Sequence, residues 1–125
     1  MNTLDTILIL LGILFLHWIG DGVLQTDKMA KGKSSNWEDL LDHTVMYSFV
    51  FFIGSMIYFA FTMTYAIAFF SIITFFFHTA TDYVTSRINS KLWKDGKVHN
   101  FFVSVLFDQF LHFVQLFLTF YFLTQ

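Results

Sequence analysis

Phe107-Asp108-Gln109-Phe110-Leu111-His112 sets an acid and an imidazole inside an otherwise apolar run from Phe101 to Gln125. That run is long enough to cross a bilayer, whose hydrocarbon core takes about 20 residues of helix. At i and i+4 of a helix, Asp108 and His112 project from one face toward a common neighbour. Lipid is a poor neighbour: an Asp at the centre of a span costs on the order of 2.5–3.5 kcal/mol, so ionisable groups there turn to a bundle interior or a polar cavity. The fold expected is all-α, a polytopic membrane protein whose other spans supply the partners.

Composition agrees. With 125 residues, 56% of them hydrophobic and 13% charged, the chain has more apolar surface than a soluble core of this size can bury. A net charge of -2 argues against nucleic acid as a partner, since phosphates call for a basic face. There is no cysteine, so disulfides and thiolate metal sites are excluded, leaving imidazole and carboxylate as the strong ligands. The 19 phenylalanines read as lipid-facing and packing surface.

Working back from the last run, four spans are expected in one domain covering residues 1–125: about 4–24, 37–61, 65–88 and 101–124, packed as an antiparallel bundle. The first carries His17 and Asp21 in its last two turns. No basic residue precedes it and no cleavage pattern follows, so it is expected to remain in the mature chain. Ser35-Asn36-Trp37-Glu38 fits a capping box with Ser35 as the cap, and His43 lies about two turns into the helix it starts. From Thr44 to Phe77 there is no charge, and one helix of that length would run about 50 Å, too long for a ~30 Å core. The run is therefore expected to fold back near Thr62-Met63-Thr64, with Tyr58 and Tyr65 as interface aromatics. Its second half holds His78 and Asp82.

All seven Lys and Arg residues fall after the first span or after the third. With four spans these segments share a side, which the positive-inside rule makes cytoplasmic, with both termini outside. A bacterial inner (cytoplasmic) membrane is the expected location. Lys28 follows His17 by 11 positions, Lys33 precedes His43 by 10, Arg87 follows His78 by 9, and Lys97 precedes Asp108 by 11. At 1.5 Å per residue these groups share a level roughly 12–16 Å from the basic rim.

Three His/Asp pairs at i, i+4 and His43 thus converge on one depth. Each sits on a polar stripe, such as Ser71, Thr74, His78, Asp82 and Thr85, or Ser104, Asp108, His112, Gln115 and Thr119. Tyr47 lies one turn from His43, and Gly20 permits close helix approach. The candidate metal ligands are His17, Asp21, His43, His78, Asp82, Asp108 and His112, enough for one catalytic ion with outer carboxylates or for two ions. Zinc comes first for such nitrogen and oxygen donors; iron and manganese also suit them. A metal-bound water of lowered pKa would make this a hydrolase, acting on a lipid or lipid-linked substrate. Two other readings stand beside it: proton or ion transport through buried His and Asp, and a non-catalytic interaction protein with a structural polar core. Asp42 points about 100° away from His43. Asp27, Glu38, Asp39 and Asp95 are expected in loops or caps, and the basic residues act as topology signals. Oligomeric state is not legible.

His17-Trp18-Ile19-Gly20-Asp21 running into Leu24-Gln25-Thr26-Asp27, His43 with Tyr47, His78 to Asp82, and Asp108-Gln109 with His112 resemble the small bacterial and phage membrane proteins of domain-of-unknown-function family 3307. The resemblance covers nearly the whole chain. It implies a compact helical membrane domain and adds Gln25, Asp27 and Gln109 as candidate site residues, with Asp21, Asp108 and Gln109 the candidates for a catalytic role. A looser likeness, of His78 to Thr85 to the His-x-x-x-Asp-x-x-Thr element of inner-membrane metal-dependent hydrolases, supports the hydrolase reading by analogy. The glycine that usually follows is absent, and position 87 is Arg.

Overall fold

The computed structural model describes residues 2–125 and is helical throughout, with no strand among them. Four helices are long and apolar enough to cross a membrane: Thr3–Val23, Trp37–Thr62, Tyr65–Lys94 and Val98–Leu123. They run up and down in chain order as an antiparallel bundle.

Helix α1 (Thr3–His17) starts at a capping box formed by Asn2 and Asp5. It continues as a π-helical turn over Trp18–Val23, in which Leu24 N–H donates to Ile19 O at 2.9 Å. Such wide turns insert a residue into a helix and are frequent at functional sites. Two glycines, Gly20 and Gly22, sit in it, and Gly20 is needed there: a Cβ would lie 2.9 Å from Tyr47 Cδ2. After the short α2 (Asp27–Gly32), the chain turns into α3 (Trp37–Thr62). The cap of α3 is Asn36, whose side chain accepts from Glu38 N–H at 2.9 Å. This corrects the expectation of a Ser35 cap, because Ser35 spends both its N–H and its hydroxyl on Gly32 O.

At the far end Met63 adopts a left-handed conformation (φ 55°) and closes α3. One turn of 3-10 helix, Tyr65–Phe69, then feeds α4 (Phe70–Lys94). Gly96, at φ 69°, lets the chain reverse after α4, and Lys97 N–H caps back onto Leu92 O before α5 (Val98–Leu123). Glycine is the residue that takes this left-handed cap position without penalty.

The packing is inverted relative to a soluble bundle. On α4 the buried positions are Phe70, Ser71, Thr74, His78, Asp82, Thr85 and Ser86, while Ile72, Phe76, Phe77 and Val84 are exposed. Apolar side chains facing outward suit lipid, and polar ones facing inward satisfy each other. At one end the centre is apolar, with Ile13, Tyr47, Phe51, Ile67, Phe70, Leu116 and Phe120 in one cluster. At the other end, where both basic segments lie, the centre is polar.

Candidate metal centre

Four donor atoms from three helical segments converge in the polar half. His43 Nε2 (α3) lies 3.1 Å from Asp21 Oδ1, 3.2 Å from Asp82 Oδ2 and 3.1 Å from His78 Nε2. His78 Nε2 (α4) lies 3.7 Å from each of the same two carboxylate oxygens. A tetrahedron of ligands 2.0–2.1 Å from zinc has edges of roughly 3.3–3.4 Å, so these distances are compatible with a coordination shell, although Asp82 Oδ2 also accepts from Lys33 Nζ at 2.7 Å. Asp21, His43, His78 and Asp82 can hold a metal ion, and Asp21, Asp108 and His112 form a second group that shares Asp21. Asp21 Oδ1 is buried, with His43 Nε2 its near neighbour but not in good hydrogen-bond alignment.

The surrounding bonds aim these atoms. His17, buried on α1, holds Tyr47 Oη at 2.7 Å on Nδ1 and Gln109 Oε1 at 2.7 Å on Nε2. Since Gln109 Nε2 donates to Asp21 Oδ2 at 2.8 Å, its Oε1 accepts, which fixes the proton of His17 on Nε2 and makes Nδ1 the acceptor from Tyr47. The relay Tyr47→His17→Gln109→Asp21 thus pins one carboxylate oxygen and leaves Oδ1 facing the donor cluster. Tyr47 also stacks on the His78 ring, centroids 3.7 Å apart and 10° from parallel. Gly20 makes room for this tyrosine.

A second relay sets His78. Its Nδ1 is 3.1 Å from His112 Nδ1, and His112 Nε2 is 3.1 Å from Asp82 Oδ1 and 3.4 Å from Asp108 Oδ1. A neutral His112 that donates from Nε2 to the carboxylates accepts at Nδ1 from His78 Nδ1–H, and in that tautomer the His78 Nε2 lone pair points inward. A carboxylate, backbone carbonyl or water behind a ligating His usually fixes its tautomer; behind His78 the His112 ring takes that place, backed in turn by Asp82 and Asp108. Asp108 is further held by the Thr85 hydroxyl. Of the four imidazoles only His43 has an outer nitrogen, Nδ1, buried without a partner.

Lys33 is the residue that sequence reasoning missed. It reads as a topology signal, but its Nζ reaches inward to Asp82 Oδ2 at 2.7 Å. Burial opposes its charge, yet the attraction of Asp82 and Asp21 outweighs this and holds the ammonium above the ordinary lysine range. Asp39 lies, as expected, in the capping turn of α3, accepting from Asn36 Nδ2 at 3.2 Å, but it is buried there and pairs with Lys28 at 3.2 Å, since Gly32 allows α2 to lie directly on its carboxylate. Asp27 is exposed at the start of α2 and takes no part in the cluster, whereas Gln25 is half-buried, donating to Asp21 O at 3.1 Å.

A cavity of about 920 Å³ opens onto Asp21, Asp108, Gln109 and Lys33 from between α1, α2, α4 and α5. Its remaining wall mixes Lys31, Lys94, Ser86, Asn89 and Ser90 with apolar Leu14, Val105, Phe102 and Phe113.

Fold and site together define a helical protein of membrane type with a buried His/Asp cluster able to take a metal ion. The chain belongs to the family described as "Protein of unknown function (DUF3307)", whose profile matches residues 7–125. Among curated proteins and among solved structures nothing matches it.

Proposed function

We propose that the cluster binds one divalent metal ion, zinc before iron or manganese, through Asp21, His43, His78 and Asp82, and that the chain is a metal-dependent hydrolase of a lipid or lipid-linked substrate. The observation that carries this reading is the spacing of the four donor atoms, 3.1–3.7 Å for the five pairs that include an imidazole nitrogen. Charge supports it. Asp21, Asp82 and Asp108 bring three carboxylates to the cluster against the single ammonium of Lys33, and buried charge is stable only when paired. One divalent ion supplies that balance. A second ion has weaker support, because both nitrogens of His112 are already engaged.

His17 is an orienting group in this reading rather than a ligand. A bound ion of this kind polarises a water or an ester oxygen. Asp108 and Gln109, on the cavity wall, would orient a water toward the ester; Asp108 would take a proton from it as the new bond to the water oxygen forms and give that proton to the leaving alcohol as the ester bond breaks. The basic segments face the cytoplasm, with both termini outside, in the inner membrane of a bacterial cell.

The test is turnover of lipid esters by metal-loaded protein in detergent. Hydrolysis abolished by chelator, by His78→Ala and by Asp108→Asn is expected; folded, metal-loaded protein without turnover on carboxyl- or phospho-ester lipids overturns the enzyme reading. Proton or ion passage is the second reading, favoured by the hydrogen-bonded network across all four spans. It predicts flux in liposomes sensitive to Asp108→Asn, and the apolar cluster of Phe51, Phe70, Leu116 and Phe120 beyond Tyr47 weighs against it.

A further inference from the structure

We infer that the occupant of the 920 Å³ cavity is an anionic phosphate-bearing lipid with a hydroxylated headgroup, its phosphate held near Lys31 and Lys94 and its tail leaving between α1 and α5. The inference deepens the reading above and takes its charge balance from it.

Charge complementarity argues for the headgroup. With Asp21, Asp82 and Asp108 balanced by Lys33 and a divalent ion, Lys31 and Lys94 remain on the wall as two cations that pair with no carboxylate among the described residues. A phosphate monoanion or dianion matches that excess, and lysine ammoniums at a membrane surface attract such headgroups. The neutral part of the wall fits the rest of the head. Gln25 Oε1 and Asn89 Oδ1 are both buried there without a hydrogen-bond partner, and both are acceptors that suit hydroxyl donors.

The tail is argued from the opposite wall. Leu14, Trp18, Phe102, Val105 and Phe113 line the side of the cavity where α1 and α5 touch only sparsely, so the cavity is open toward the bilayer along an apolar seam. A free sugar phosphate or inorganic phosphate leaves that seam unused. An acyl chain fills it while the head stays at the polar end, beside Asp108 and Gln109.

Trp18 and Trp93 line the cavity, whereas Trp37 stacks on Tyr83 elsewhere, so tryptophan quenching by a bromine-labelled acyl chain reports occupancy. The full chain in nonionic detergent is titrated with brominated phosphatidylglycerol, with diacylglycerol carrying the same chains, and with glycerol phosphate as competitor. Saturable quenching by phosphatidylglycerol is expected, with diacylglycerol about tenfold weaker or worse and the Kd raised roughly thirtyfold in Lys31→Gln/Lys94→Gln. Both lysines are exposed, and circular dichroism verifies that the double variant is folded. Equal binding of diacylglycerol, or an unchanged Kd in the double variant, overturns the headgroup assignment. Glycerol phosphate displacing the lipid at equal concentration overturns the lipid assignment in favour of a soluble phosphate. Metal content, measured on the same sample, reports separately on the metal reading: lysine-dependent lipid selectivity without metal sustains this inference while that one fails.

Discussion

His43 and His78 face each other Nε2 to Nε2 across 3.1 Å, from adjacent helices and in a space that excludes solvent. Two neutral imidazoles at that distance share one hydrogen at most, and two carboxylate oxygens close the same space. A divalent cation bound there would be held by all four, with Asp82 Oδ2 also accepting from Lys33 Nζ. The relays behind His78 and Asp21 are built so that the inward atoms carry lone pairs, and the consequences of that arrangement can be measured one residue at a time.

Gln109 is the joint of the first relay, reading His17 on one side and Asp21 on the other. Gln109→Leu frees the Asp21 carboxylate to rotate without removing a ligand. Metal affinity, measured by competition with a chromogenic chelator, is expected to fall about 10- to 100-fold while stoichiometry is kept, the usual effect of losing an outer partner. Unchanged affinity would show that Asp21 is positioned by other means.

Gly20→Ala pushes a methyl group to 2.9 Å from the Tyr47 ring, against a side chain that has no exposed surface and is stacked on His78. Overpacking of this kind costs about 1–3 kcal/mol. Thermal unfolding in detergent should therefore move down for Gly20→Ala. Gly12→Ala, where a Cβ meets nothing within 4 Å, serves as the control and should leave it in place.

Lys33 links stability to alkaline pH. Its folded-state pKa is raised, so the folded chain holds this proton more tightly than the unfolded one, and the stabilisation is complete below the unfolded value of about 10.4. It is lost as pH rises through the folded value. Lys33→Met leaves Asp82 without its cation and is expected to cost about 3–5 kcal/mol at neutral pH in metal-free protein. The stability gap between wild type and variant should then narrow above that pH; a gap independent of pH would mean the ammonium is not what holds Asp82.

All-helical architecture with four membrane-length helices was legible because hydropathy and helical period act locally. The polar stripe of α4, Ser71 to Thr85, is visible in the sequence for the same reason: residues three and four apart share a face whatever packs on it. Other features depend on contacts between distant segments. Nothing in Lys31-Gly32-Lys33 says which lysine turns inward to Asp82, and the two-residue glycine spacing around Asp21 hints at a wide turn only once the turn is seen. Likewise His17 matches the other histidines in depth and pairing, but the bonds that use up both its nitrogens come from Tyr47 and Gln109, 30 and 92 positions away. Gly32 does carry a signal for buried Asp39, since a glycine inside a short basic helix marks a close approach.

The central claim is that this cluster is a metal site, and elemental mass spectrometry of the purified full chain tests it most directly. One zinc, iron or manganese per chain is expected after purification or reconstitution, reduced to a small fraction in His43→Ala and His78→Ala while His17→Gln retains it. Folded wild-type protein that takes up no divalent ion, or variants that keep the full complement, would contradict the account.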